Sequence, residues 1–336
     1  MKLKYMILSG LAVILMAQSV VTVEAQQVRR GRKGIIVRID STNVRAMQPF
    51  KGVSTGGSWY ADAINQYRDT LSDDIRIYNM VIPTSVAYYC PDEASDWSRP
   101  EEPVINHIYS LLKDGVTPVN VYPVLQQHVD EDIYARTDHH WLPLGAYYAA
   151  QEFARVAGVP FEDISTYDKQ VVRDFVGTMY RFSGDVAVKN SPEDFVYYTP
   201  RDTNYVTTYV GHKLGKRRNV IGLTDPFEGP FFIRYEDGSK AAYCTFMGGD
   251  VRTTHVKTMA DNGRKLMIIK DSFGNALPGY LFYSFEDIFV VDFRYFTKNI
   301  VDYIHENGIT DILFANNILH AYMLSTARAY VQLLHK

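Results

Sequence analysis

The feature that most constrains the fold is an alternation of short apolar runs with amphipathic segments in the last third of the 336-residue chain. Lys265–Lys270 (KLMIIK), Asp287–Asp292 and Ile312–Ala315 have the length and composition of buried strands, and helical segments separate them. This alternation is typical of an α/β protein with a mostly parallel sheet and helices on both faces. Such sheets bind ligands beyond the carboxyl ends of their strands, so residues at those ends are the first candidates for function.

The same pattern extends upstream and predicts one domain spanning residues 34–336. Further strands are expected over Gly34–Ile39, Ile75–Ile82 and Val116–Val124, and helices over Ser58–Leu71, Pro103–Lys113, Pro143–Val156, from about Asn275, Ile300–Asn307 and Ala321–Leu334. Residues from about 165 to 247 are instead rich in Tyr, Val, Thr and turn residues. We predict that they form an irregular or β-rich insertion.

The N-terminus has the three parts of a secretory signal peptide. Lys2 and Lys4 form a positive start, Met6–Val23 is apolar, and Ala25 ends a small-residue cleavage site. We therefore predict a signal peptide over residues 1–25, a linker over 26–33 and export to the periplasm or the cell exterior. An uncleaved membrane anchor is the alternative, although polar residues interrupt the apolar stretch and weaken it as a spanning helix.

Charge and cysteine content narrow the class of protein. The formal net charge of −3 argues against a nucleic acid as the main partner, because phosphate binding needs a basic surface. Cys90 and Cys244 are the only cysteines, which is too few for a disulfide framework or for a zinc site of their own. We expect two buried thiols, and a bridge between them is the alternative that export allows.

A serine follows the buried strand in the stretch KDSFGN, residues 270–275. A sharp turn there would present the Ser272 hydroxyl at the end of the sheet, beside backbone N–H groups of a following helix. That arrangement suits a nucleophile and the oxyanion that its attack creates. The alternative is an ordinary helix cap, because Ser and Asp are both frequent at that position.

The loop TDHHW at residues 137–141 offers a base for that serine. Asp138 and His140 share one side of an extended loop, so the carboxylate can orient the imidazole, while His139 points away. A loop histidine with a local hydrogen bond is the alternative. Adjacent histidines rarely chelate one ion, and the other histidines form no ligand pattern, so we expect no metal and no other cofactor.

Other residues are candidates for binding substrate. Glycine lets a backbone N–H approach a substrate oxygen, so the N–H groups of Ser272 and of Gly249, in the stretch GGD, are candidates for an oxyanion hole. A plain turn at GGD is the alternative, and Asn316 and Asn317 are similar candidates at another strand end. The aromatic side chains that we consider for stacking on sugar rings are Trp59, Tyr60, Tyr88, Tyr89 and Trp141, although packing is their ordinary role.

Several stretches resemble those of the DHHW family. They are DHHW at 138–141 with LPLGA after it, KDSFGNALP at 270–278, VVDFRYF at 290–296 and GITDIL at 308–313. GGD at 248–250 stands where the family pattern has Gly-Gly-Asn. The family is similar to the SGNH-hydrolase-like domain of the alginate acetylation proteins, in which the Asp-x-His pair precedes the serine block, a permuted order that this chain shares.

The resemblance implies a flavodoxin-like three-layer α/β sandwich with Asp138 as orienter, His140 as base and Ser272 as nucleophile. It also implies an O-acetyltransferase or acetylesterase that acts on cell-surface or extracellular carbohydrate, an acylated polysaccharide for instance, with a membrane protein as acyl donor. One alternative is a non-catalytic protein that holds a polysaccharide or an export-complex partner in the same cleft. Another is a metal phosphoesterase, for which the loop before His139 offers few carboxylates.

Overall fold

The computed structural model describes residues 26–41 and 43–336, so the predicted signal peptide lies outside the described residues. The strands are β1 (Gln27–Arg30), β2 (Ile36–Ile39), β3 (Val44–Met47), β4 (Arg76–Ile82), β5 (Val116–Pro118), β6 (Tyr167–Phe175), β7 (Glu193–Pro200), β8 (Val206–Leu214), β9 (Val220–Leu223), β10 (Phe227–Glu228), β11 (Arg252–Lys257), β12 (Lys265–Lys270), β13 (Asp287–Asp292) and β14 (Asp311–Asn317). The helices are α1 (Ser58–Thr70), α2 (Val86–Tyr89), α3 (Glu102–Ser110), α4 (Tyr122–Gln126), α5 (Pro143–Ala157), α6 (Met179–Ser183), α7 (Val186–Lys189), α8 (Ile300–Asn307), α9 (Ile318–Tyr322) and α10 (Leu324–Leu334). Within the described ranges, no helix has the length and apolar character needed to cross a bilayer.

A nine-stranded sheet forms the centre of the molecule, in the order β10-β8-β11-β13-β12-β14-β4-β5 with β9 paired to β8. The strands β13, β12, β14, β4 and β5 are parallel to one another. The strands β11, β8, β10 and β9 continue the sheet in antiparallel fashion. The predicted α/β class with a mostly parallel sheet is therefore confirmed.

Each central strand contributes to two hydrophobic cores, because successive side chains point to opposite faces. In β12, Leu266 and Ile268 pack into the core that contains α5, whereas Met267 and Ile269 pack into the core that contains α1, α3, α8 and α10. Burial on both faces explains why the strand is a continuous apolar run rather than an alternating one. Helices on both faces of one sheet give the predicted three-layer sandwich.

Helix α5 follows the DHHW stretch directly and holds it against the sheet. Pro143 occupies the first turn, where its missing N–H is not needed, and Gly158 ends the helix in a left-handed conformation (φ 65°). Gly145 lies against the strand-like segment before the loop, since a Cβ there would lie 2.5 Å from the Ile133 carbonyl oxygen. The close approach that this glycine permits fixes where the loop emerges.

One prediction about chain organisation is wrong. Residues 26–33 are not a linker, because Gln27–Arg30 forms β1 and pairs with β2. The predicted strand over Gly34–Ile39 is present as β2, and it belongs to a small three-stranded sheet with β1 and β3. This small sheet buries Ile35, Val37 and Ala46 against α6 and α7, so the main sheet begins with β4.

The region 165–247 is β-rich, as predicted, but only part of it is an insertion. β6 and β7 form a separate two-stranded sheet, whereas β8 and β10 extend the central one. β8 pairs with β11 along six residues, from Val206 opposite Lys257 to Gly211 opposite Arg252. This antiparallel edge of the sheet is only half-buried, and for that reason the sequence of β8 contains no long apolar run.

Prolines account for two further differences from the predicted elements. The predicted strand Val116–Val124 stops at Pro118, which cannot donate to the ladder, and the chain continues into α4. The helix expected from about Asn275 is two short 3₁₀ segments, Ser272–Ala276 and Pro278–Tyr280, since Pro278 interrupts the ladder of hydrogen bonds. Cys90 and Cys244 are free, half-buried thiols, so no bridge joins them.

Candidate active site

In-register pairing brings three strand ends to one level of the sheet. Lys270, the last residue of β12, pairs with Asp292 at the end of β13 and with Ala315 in β14. Neighbouring strands are about 4.8 Å apart, so the residues two positions further also lie close together. These residues are Ser272, Arg294 and Asn317. All three line a cavity of about 280 Å³ at the carboxyl ends of the strands.

A chain of hydrogen bonds links Ser272 to the DHHW loop. Ser272 Oγ lies 2.8 Å from Nε2 of His140, and Nδ1 of His140 lies 2.6 Å from Oδ1 of Asp138. The same carboxylate oxygen accepts the backbone N–H of His140 at 3.1 Å. Asp138 and His140 are both buried. With Nδ1–H donating to the carboxylate, Nε2 is free to accept the serine proton.

The turn that carries Ser272 is fixed by the buried carboxylate of Asp271. Its Oδ1 accepts the Phe273 N–H at 2.9 Å, and its Oδ2 accepts the backbone and side-chain N–H groups of Asn317 at 2.8 and 3.0 Å. Gly274 is required next, because a Cβ there would lie 2.5 Å from Cβ of Lys270. The Ser272 N–H donates to no acceptor in the described part of the chain, so this donor remains available to a ligand.

Thr178, which sequence analysis missed, completes the surroundings of Asp138. Its N–H and its hydroxyl both donate to Oδ2 of Asp138, at 2.7 and 2.9 Å. Gly177 allows this approach, since a Cβ there would lie 2.3 Å from the carboxylate. Thr178 is 40 residues from Asp138 and belongs to no motif, so only the folded chain reveals the contact.

The pKa values in the loop follow from burial and from these contacts. Burial alone would raise the pKa of Asp138, but the charges that His140 and His139 carry when protonated, together with the accepted hydrogen bonds, outweigh it and lower that pKa well below its usual range. Burial and then the neighbouring His140 lower the pKa of His139 to about 3, so its ring is neutral near pH 7. His139 does not point away as predicted. Its ring packs 3.7 Å from that of His140, and its Nδ1 lies 2.6 Å from Thr178 Oγ1.

Two aromatic residues hold the histidine and the serine turn together. The ring of Tyr243 stacks on that of His140, with centroids 3.8 Å apart and planes 5° apart. The Tyr243 hydroxyl donates to the carbonyl oxygens of Ser272 and Phe273, at 2.9 and 3.1 Å. Trp141, predicted to stack on sugar, is instead fully buried and donates its indole N–H to the Phe273 carbonyl at 2.9 Å. Its role is to support the serine turn.

Other predicted binding residues lie outside the cavity. The Gly249 N–H is not free for an oxyanion, because it donates to the Phe246 carbonyl at 3.0 Å. Trp59 is 62% exposed on α1 and does not line the cavity. Tyr88 packs among other tyrosines and donates its hydroxyl to the Tyr122 carbonyl at 3.0 Å. The other aromatic candidates, Tyr60 and Tyr89, are likewise absent from the cavity wall.

The cavity wall comes from segments that are far apart in the sequence. Besides the three strand-end residues, it contains Gln48, Thr84, Ser85, His139, Phe182, Phe273, Leu319, His320 and Met323. Thr84 is itself held from behind, since the buried Glu101 accepts its N–H at 2.8 Å and its hydroxyl at 2.6 Å. Apart from His139 and Phe273, which lie in the two stretches described above, no motif marked these residues, because they come from several separate segments of the chain.

Asp250, the last residue of the GGD stretch, belongs to a compact network of charges behind the cavity. The Lys270 ammonium lies 3.3 Å from Asp250 and 3.0 Å from Asp292, and Arg294 bonds both carboxylates, at 2.9 and 2.6 Å. Asn275 donates to Asp250 at 2.8 Å. Burial alone would raise the pKa of Asp250, but the two cations lower it well below its usual range.

The cluster Asp138, His139 and His140 also has the spacing of metal ligands, with donor atoms within 4.8 Å of one another. Both ring nitrogens of His140 are, however, already bonded, one to the carboxylate and one to the serine. A metal ion that took one nitrogen of His140 as a ligand would have to displace the hydrogen bond at that nitrogen. The geometry is that of a proton relay, which is the arrangement required for activating a serine.

Comparison with known proteins gives one family and several similar structures. The family model described as DHHW protein matches residues 49–291. The crystal structure of a DHHW family protein from Eubacterium siraeum is 36% identical and has a TM-score of 0.80, covering 90% of this chain and 98% of that one. A search of curated proteins finds no match.

Two further structures match at lower sequence identity. A structure of Bacillus cereus PatB1 with a sulfonyl adduct is 20% identical with a TM-score of 0.68, covering 86% of this chain and 96% of that one. The O-acetyltransferase domain of Pseudomonas putida AlgJ is 11% identical with a TM-score of 0.47, covering 93% and 99%. The PatB1 likeness shows a common fold, and the AlgJ likeness is too weak to support an argument.

Proposed function

The chain belongs to the DHHW family, and from that premise and from its site geometry we propose that it is an exported serine enzyme that transfers or hydrolyses acyl esters of carbohydrates. The observation that supports this most directly is the unbroken hydrogen-bond chain from Asp138 through His140 to Ser272 at a ligand-sized cavity. A non-catalytic binding protein needs no such alignment. The proposed roles are orienter for Asp138, base for His140 and nucleophile for Ser272.

The first half-reaction forms an acyl-enzyme. Ser272 Oγ attacks the carbonyl carbon of the ester as its proton passes to His140 Nε2, 2.8 Å away. The negative charge on the carbonyl oxygen is met by the Ser272 N–H, which no acceptor in the described chain occupies. The intermediate collapses, the C–O bond to the leaving alcohol breaks, and the imidazolium returns its proton to that alcohol.

The second half-reaction removes the acyl group from Ser272. An acceptor hydroxyl gives its proton to His140 while its oxygen attacks the acyl carbon, and the ester bond to Ser272 breaks with return of the proton to Oγ. A sugar hydroxyl as acceptor makes the protein a transferase, and water makes it an esterase. Asp138 stabilises the imidazolium in both halves, and its lowered pKa favours the ionised carboxylate that this role needs.

The size and lining of the cavity support a short acyl group on a polar carrier. A volume of about 280 Å³ is at the lower end of what small-molecule sites enclose. Phe182, Leu319 and Met323 supply apolar wall, and Gln48 and Ser85 supply hydrogen-bonding groups beside it. An acetyl ester of a sugar has the same combination. The acyl donor in this proposal is a membrane protein of the same export system, reached after the residues 1–25 have directed secretion.

Intact-mass measurement after rapid mixing with 4-nitrophenyl acetate tests the proposal. We expect an added acetyl group on the parent protein, located on Ser272 by peptide mapping and absent from Ser272→Ala. Adding an oligosaccharide acceptor separates the two outcomes, because a transferase moves the acetyl group to the sugar faster than to water. A folded parent that gains no acetyl group and releases no 4-nitrophenol would contradict the proposal and favour a binding role.

A further inference from the structure

Stabilising an oxyanion in a serine enzyme usually takes more than one hydrogen-bond donor. Here the Ser272 N–H is one, and the second donor that the sequence predicted, the Gly249 N–H, is bonded to the Phe246 carbonyl. The cavity wall must therefore provide the second donor from another residue. The wall residues that come from strands adjacent to the serine strand are Arg294 and Asn317.

Arg294 stands beside Ser272 at the end of the neighbouring strand. Lys270 and Asp292 are paired in register, and both Ser272 and Arg294 come two residues after their strands end. The pairing continues past the strand ends, since the Phe293 N–H donates to the Lys270 carbonyl at 3.4 Å. The Arg294 side chain is 29% exposed and lines the same cavity as the serine.

Three of the four donor groups of Arg294 are fixed by carboxylates. Nε donates to Asp292 Oδ1 at 2.8 Å, Nη2 donates to Asp292 Oδ2 at 2.6 Å and lies 2.9 Å from Asp250 Oδ2, and the backbone N–H donates to Asp292 Oδ1 at 3.0 Å. Nη1 donates to no acceptor in the described part of the chain. A planar guanidinium held on one side in this way presents its remaining nitrogen in a fixed direction.

We propose that Arg294 Nη1 is the second oxyanion donor, so that the carbonyl oxygen of the ester sits between it and the Ser272 N–H. As Ser272 Oγ bonds to the carbonyl carbon, the C=O electron pair moves onto that oxygen, and the two donors hold it. When the tetrahedral intermediate collapses, the pair returns and the leaving alcohol departs. Arg294 neither gives nor takes a proton in this step. The inference rests on the proposed acyl-ester chemistry.

The charges around Arg294 favour an oxyanion over a permanently charged substrate group. The positive charges of Arg294 and Lys270 are matched by the negative charges of Asp250 and Asp292, so these four side chains together are neutral before reaction. A neutral network gives little attraction to a carboxylate or a phosphate. It still supplies a charge-assisted hydrogen bond to an oxygen that becomes negative only in the transition state, which is the interaction that raises kcat.

The network also gives a role to Asp250. Its carboxylate lies 2.9 Å from Nη2 of Arg294, which also donates to Asp292, and this second contact limits rotation of the guanidinium. Asp250 is thus a positioning residue for Arg294. Asn317 is a weaker candidate for the second oxyanion donor, because its side-chain amide already donates to Asp271 and its Oδ1 accepts the first N–H groups of α9.

Steady-state hydrolysis of 4-nitrophenyl acetate, a neutral ester without a sugar, tests the inference. Arg294→Ala is expected to lower kcat about 100-fold with little change in KM, the effect of removing one oxyanion donor. Guanidinium chloride below denaturing concentration should restore part of the lost kcat. Arg294→Lys, which keeps the charge but not the fork, should remain impaired. Asp250→Asn should lose several-fold in kcat, and the exposed Arg328→Ala is the matched control.

The outcomes separate this inference from the proposed function. An active parent whose Arg294→Ala variant keeps its kcat, or changes only in KM, overturns the role of Arg294 and leaves the triad standing. A fall in kcat without guanidinium rescue, in a variant that melts well below the parent, also overturns it, because a structural role explains that result. A folded parent with no turnover and no acetylated Ser272 overturns both proposals.

Discussion

The end of the parallel sheet and the region 165–250 contribute to the site in different ways. The sheet end places Ser272, Arg294 and Asn317 at one level through the register of parallel strands. The region 165–250 contributes no strand end to the site. It supplies instead Thr178 and Tyr243, which lie outside its strands and contact Asp138 and His140. Regular structure thus positions Ser272, the proposed nucleophile, whereas single side chains from the region 165–250 contact Asp138 and His140, the proposed orienter and base.

The comparison predicts that changes at the sheet end and changes in the irregular region affect different measurements. A residue that supports the sheet end should alter the free energy of unfolding, because it is part of the core. A residue that only aligns the relay should alter kcat and leave stability nearly unchanged.

Asp138→Asn should lower kcat about 10⁴-fold. The amide removes the negative charge that stabilises the imidazolium and permits the wrong tautomer of His140, the combination that makes such a change so damaging in serine enzymes. Ester hydrolysis with separate kcat and KM values checks it, and Asp130→Asn, an exposed position in the same loop, is the matched control. A variant within tenfold of the parent would remove Asp138 from the relay.

Glu101→Gln should change how stability depends on pH. Burial raises the pKa of Glu101 from 4.5 to about 7, against the opposing effect of the hydrogen bonds from Thr84. The folded protein therefore holds this proton more tightly than the unfolded chain, so the free energy of unfolding falls as pH rises from about 4.5 to about 7. Linkage sets the fall at about 3 kcal/mol at most.

Urea unfolding at a series of pH values measures this effect of Glu101. Glu101→Gln should flatten the curve between those pH values, and the exposed neighbour Glu102→Gln should not. If the parent and Glu101→Gln show the same pH dependence, the support of the cavity wall at Thr84 is not coupled to a buried proton. Glu101 would then no longer exemplify a residue at the sheet end that affects the free energy of unfolding rather than catalysis.

Tyr243→Leu should lower kcat roughly 30-fold. The substitution removes the ring that stacks on His140, worth about 1 to 2 kcal/mol when the imidazole becomes charged, and the hydroxyl bonds to the serine turn, worth about 1 kcal/mol. Tyr243→Phe keeps the ring and should lose only a fewfold. Equal losses in the two variants would show that the hydroxyl alone matters and that the stack does not.

Thr178→Val should have the smallest effect, a fall in kcat of about fivefold. Valine cannot donate to Asp138 Oδ2, but the backbone N–H of residue 178 still does, so one of two hydrogen bonds remains. Thr178→Ser restores the donor and should recover the parent kcat. If Thr178→Val also melts well below the parent, Thr178 stabilises the core, and its effect on kcat is not specific to the alignment of Asp138.

Sequence predicted the parts of the fold that depend on regular patterns. The strands β12, β13 and β14 are continuous apolar runs because both of their faces are buried, and composition alone reveals that. The grouping of Asp138, His140 and Ser272 rested on a family resemblance, and the structure brings these residues within hydrogen-bond distance. Their catalytic roles stay a prediction until activity is measured.

The surroundings of the site could not be predicted from the sequence, because they depend on contacts between segments that are far apart in the chain. Trp141 looks like a ligand-stacking residue in a polar loop, but in the folded chain its indole N–H has a carbonyl to bond, which makes burial favourable. Gly249 looks like an open donor, but its own turn takes up its N–H. Neither acceptor is recognisable from the local sequence, and neither is the contact of Thr178 with Asp138.

Labelling with a fluorophosphonate, followed by intact mass, tests the central claim that Ser272 is activated by His140 and Asp138. The parent should gain one phosphonyl group per chain, Ser272→Ala none, and His140→Ala should react far more slowly than the parent. Labelling of the parent and Ser272→Ala to the same extent, or no labelling of a demonstrably folded parent, would contradict the claim that this hydrogen-bond chain activates the serine.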